Sequence, residues 1–63
     1  MLYRVVLIFP DNERLADFIG HLEVPGEVNT RERTFIGNLN EDQIVTACTV
    51  FGAYVKVMRI IEQ

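Results

Sequence analysis

A chain of 63 residues with a formal charge of −3, 49% hydrophobic and 24% charged residues, has the make-up of one small globular domain, not of a disordered segment. The acidic balance disfavours general affinity for nucleic acid or an anionic membrane. One cysteine and one histidine leave no internal disulfide and no tetrahedral zinc site of the usual kind, so neither metal nor cofactor is expected. Small domains without such staples lean on oligomerisation.

Leu2 to Phe9 (LYRVVLIF) is the longest nearly unbroken apolar run, rich in β-branched and aromatic residues. That reads as a strand covered by protein on at least one face; it is too short to cross a bilayer. Tyr3, Val5, Leu7 and Phe9 share one face, expected to meet the helices. Leu2, Arg4, Val6 and Ile8 share the other. Arg4 interrupts the run and no small-residue cleavage site precedes Asp11, so it does not read as a signal peptide. With a free thiol, this points to the cytoplasm.

Pro10 ends the strand and Asp11 suits an N-cap. The first helix is expected from Asn12 to Leu22, with Leu15, Phe18, Ile19 and Leu22 as its apolar stripe. Gly20 lies off that stripe; either the helix frays there or something packs close to it. Val24-Pro25-Gly26 fits a type II turn, with Gly26 at positive φ. Glu27 to Leu39 is long for one strand. It fits two antiparallel strands turning near Thr30 to Glu32, or else one long bulged strand.

Asn40 and Gln43 make a capping box for a second helix, whose stripe is Ile44, Ala47, Cys48 and Phe51. Gly52 is placed as a C′ glycine. The last strand, Ala53 to Ile61, would put Val55, Val57, Arg59 and Ile61 on one face and Tyr54, Lys56, Met58 and Ile60 on the other. The order is βαββαβ, or βαβαβ if the middle strand is single. The expected fold is an α+β two-layer sandwich with both helices on one face of the sheet.

No catalytic constellation assembles. Cys48 sits on an apolar stripe, where burial keeps a thiol inert. His21 stands one turn after Asp17, as a surface pair would. The carboxylates Asp11, Glu13, Asp17, Glu41 and Asp42 gather near helix starts, where capping and the dipole favour them. The four glycines form no phosphate loop. Arg4, Arg31, Arg33 and Lys56 could line an open sheet face beside Tyr54, as in an RNA-recognition sheet, although the closely spaced aromatics are missing.

The order and length, and the helix-to-strand run from Gln43 through Phe51-Gly52-Ala53 to Val55, resemble small ferredoxin-like modules such as heavy-metal-associated and ACT domains. The CxxC of the former and the glycine-containing ligand loop of the latter are absent at Pro10 to Glu13, so no metal carriage is implied. The expected function is a non-enzymatic protein–protein interaction module. Leu2, Arg4, Val6, Ile8, Tyr54, Lys56, Met58 and Ile60 would form its interface, and a homodimer is the expected assembly. A small-ligand regulatory domain is the alternative, and nucleic-acid binding through the open face the second.

Overall fold

The computed structural model describes residues 1–22 and 24–62. Its elements are β1 (Leu2–Ile8), α1 (Asn12–His21), β2 (Gly26–Asn29), β3 (Thr34–Asn40), α2 (Glu41–Val50) and β4 (Tyr54–Glu62). The strands form one antiparallel sheet in the order β2-β3-β1-β4. This is the expected α+β two-layer, ferredoxin-like arrangement. The middle region is a hairpin and not one long bulged strand.

Local chemistry accounts for the elements. The Asp11 side chain accepts from the Arg14 amide at 2.8 Å and starts α1. The Leu22 amide closes that helix on the Phe18 carbonyl. At α2 the capping box is complete: Gln43 N–H donates to Asn40 Oδ1 and Asn40 N–H to Gln43 Oε1, each at 2.8 Å. Satisfying those otherwise unpaired amides fixes where the helix begins. Gly52 takes φ +72°, the left-handed conformation that ends a helix without a Cβ penalty, and the chain turns into β4.

The hairpin turns without an Asn-Gly pair. Asn29 Oδ1 accepts from the amides of Arg31 and Glu32 at 3.0 and 3.2 Å, a side chain replacing a backbone turn bond. Arg33 then sits at φ 56°. It is tied to the end of β1 twice: its carbonyl accepts from Phe9 N–H at 2.8 Å, and its Nε donates to the Phe9 carbonyl at 3.1 Å.

The core lies on one side of the sheet. Val5 and Leu7 from β1, Phe9 just after it, and Phe35 and Leu39 from β3 are buried beneath Leu15 and Phe18 of α1 and Ile44 and Ala47 of α2. The odd-numbered face of β1 therefore meets both helices, as its pattern predicts. Phe18 is the hub, its ring 5.3 Å from Phe9, 5.6 Å from Phe35 and 5.5 Å from Phe51.

Gly26 departs from the expected type II turn. It does not adopt positive φ; it opens β2, opposite Gly37 of β3. The Phe35 ring lies over both glycines. A Cβ at Gly37 would come within 2.8 Å of that ring, and one at Gly26 would strike both the ring and the Ile36 carbonyl. Glycine stands here for close approach, not for backbone freedom.

Gly20 is the contrary case. A Cβ there would have nothing within 4 Å, so nothing packs close to it and its only consequence is lost helix propensity. Gly20→Ala should stabilise the fold by roughly 0.5–1 kcal/mol, a rise of several degrees in Tm for a domain this small. Gly26→Ala should destabilise it by about 1–3 kcal/mol through overpacking. Chemical denaturation of the two variants beside the wild type checks both signs.

Candidate functional surface

The side of the sheet away from the helices is set by strand register. Directly opposed residues in an antiparallel pair point to the same side. Leu2, Arg4, Val6 and Ile8 of β1 occupy the open side, facing Asn40, Asn38, Ile36 and Thr34 of β3. Arg4 is exposed, and Leu2, Val6 and Ile8 are half-buried. These four predicted residues do share one surface.

On β4 the register departs from simple alternation. Val6 faces Val57 while Leu7 faces Val55, so Lys56 is an extra residue, a β-bulge; a second irregularity at Ile61 falls between Leu2 and Tyr3 of β1. The bulge reverses the phase of everything after it. Tyr54, opposite Ile8, stays on the open side as expected. Met58 opposes Val5 and Ile60 opposes Tyr3, so both lie on the helix-bearing side. Val57 and Arg59 take the open side in their place. The predicted single surface is therefore split across two faces of the sheet.

The open side is not uniformly apolar. Asn38 of β3, Arg4 of β1 and Arg59 of β4 stand in one row across three strands, and Arg4 Nη1 reaches Asn38 Oδ1 at 3.4 Å. This row separates Leu2 from a patch formed by Val6, Ile8, Ile36, Tyr54 and Val57. Arg31 and Arg33 do not join it. They belong to the hairpin turn, where Arg33 is committed to Phe9, and Lys56 is the bulged residue, so of the expected basic line Arg4 alone stands in this row, joined by Arg59.

β4 is the more unusual feature. It is an edge strand of nine residues, and all its side chains from Tyr54 to Ile61 are exposed. Tyr54 is 60% exposed, Met58 53%, Ile60 55% and Ile61 49%. Side chains of β1 and β3 are buried under the helices, and those of β4 are not. The opposite edge, β2, has four residues, and Glu27 and Asn29 make it polar. Short, polar edges resist pairing; long apolar ones invite it.

Two smaller features lie on the helix layer. A cleft of about 140 Å³ between the helices is lined by Phe18, His21, Leu22, Asn40, Asp42, Gln43 and Thr46. The ring of exposed His21 lies 5.8 Å from that of Phe51. Cys48 is free and half-buried. Among the described residues, no cluster of three or more His, Cys, Asp or Glu could hold a metal ion, and no helix is long and apolar enough to cross a membrane.

No protein-family model, curated protein or solved structure matches the chain. Like charges directly opposed across strands are unfavourable, so Arg59→Glu, which gives Arg4 an opposite charge, should raise stability by about 0.2–1 kcal/mol at low salt. The gain should shrink toward zero near 1 M salt, as read by thermal unfolding across a salt series.

Proposed function

We propose that this protein is a self-associating protein–protein interaction module whose working surface is the β4 flank. One observation carries the reading: β4 exposes apolar side chains on both sides of the sheet, Val55, Met58 and Ile60 toward the helix layer and Tyr54 and Val57 toward the open side. Contiguous exposed apolar surface beyond a few hundred Å² marks an interaction site. Here it is concentrated on one strand and not scattered. Both cations of that strand, Lys56 and Arg59, are exposed and stay hydrated beside these side chains.

The same distribution argues against a contact made by stacking two open faces. The Asn38–Arg4–Arg59 row crosses that face, so a stack covering the whole face would take the Arg4 and Arg59 guanidinium groups of both copies out of water. Burying unpaired like charges costs more than the neighbouring aliphatics return.

Sedimentation equilibrium from micromolar to about 100 µM checks the proposal. The wild type should be dimeric in the upper part of that range. Met58→Glu should raise the dimer dissociation constant by about tenfold or more, with the circular dichroism spectrum unchanged because Met58, 53% exposed, contributes little to the core. A monomer across the whole range would refute self-association.

A further inference from the structure

We propose that β4 pairs with β4 of a second copy of this chain, antiparallel and about a two-fold axis at Met58, so that the two sheets become one of eight strands. This rests on the self-association reading above and specifies its geometry.

The edge itself comes first. Among the described residues β4 is hydrogen-bonded to β1 on one side only, so its other side presents unpaired backbone donors and acceptors along nine residues. A strand added there satisfies the backbone and at the same time flanks side chains on both faces. A partner must therefore be extended, of similar length, and apolar on both sides. β4 meets that description itself, and an isologous two-fold contact needs no second surface.

Face matching then selects the register. Opposed residues must share a side of the sheet. With the axis at Met58, Met58 meets its own copy on the helix-bearing side and Val57 meets Arg59 on the open side. Moving the axis to Arg59 would set that arginine against itself. Moving it to Val57 would set Arg59 against Val55, which lies on the other face. Only the Met58 axis avoids both faults. The bulge at Lys56 and the irregularity at Ile61 bracket Val57 to Ile60 as the regular run, and the axis falls within it.

Nine residues of edge backbone are available to such a pair, against four on the opposite edge. The Arg4 and Arg59 guanidinium groups remain on the solvent side of the extended sheet.

Cysteine cross-linking tests the register in a Cys48→Ala background. Directly opposed residues in an antiparallel pair have Cα atoms about 4.5–5.5 Å apart, within disulfide range. Met58→Cys should give a covalent dimer on mild oxidation, reversed by dithiothreitol. An equimolar mixture of Val57→Cys and Arg59→Cys should cross-link as a heterodimer, which covers the case in which the Met58→Cys variant folds poorly. Val6→Cys, on the open face, should stay uncross-linked. A wild-type dimer whose Val6→Cys variant cross-links, or in which none of the β4 cysteines do, would overturn edge pairing and leave self-association standing. A wild-type monomer at 100 µM would overturn both.

Discussion

The ring of Phe18 holds the two layers together. It rises from α1 to where the chain leaves β1, enters β3 and leaves α2, touching Phe9, Phe35 and Phe51. Such contacts have a preferred geometry as well as buried area, so they set where the helices stand and do more than exclude water. The helices stand over β1 and β3. The roof is centred on the inner strands, and β4 lies outside it.

That placement makes the two edges of the sheet unequal. β2 is locked to β3 by the Phe35 ring lying across paired glycines, and the hairpin is short and polar. β4 is long, aliphatic and uncovered. The difference follows from packing and not from composition alone: the same Val55 and Met58 under a shifted helix layer would be core residues. Arg4 and Arg59 in one row add a second asymmetry, since they leave the open face less suited than the flank to meet a neighbour.

Much of this fold is legible in the residues. Asp11, Asn40 and Gln43 announce helix starts because capping is local chemistry, and the stripes Leu15–Phe18 and Ile44–Ala47 announce buried faces because helical period is local too. Asn29 is harder to read, since its side chain builds a turn that more often carries Asn-Gly. Gly26 looks like a turn glycine until the Phe35 ring, nine residues on, is seen to occupy the space a Cβ would need. The surface is least legible. Strict alternation along Ala53 to Ile61 places Met58 and Ile60 with Ile8, and nothing in the residue types says that Lys56 is left over. A bulge is decided by pairing with β1, and pairing is not written in either strand alone.

The leftover residue at Lys56 has a consequence for how the chain tolerates changes of length. Dropping one amino acid from β1 or β3 would throw every following side chain onto the wrong side and empty the core. Excising Lys56 would instead remove a position that faces nobody on β1: Val57 would still look across at Val6, and Met58 at Val5. The border strand thus holds a spare place, where a single-residue insertion or deletion alters curvature while the alignment of everything downstream survives.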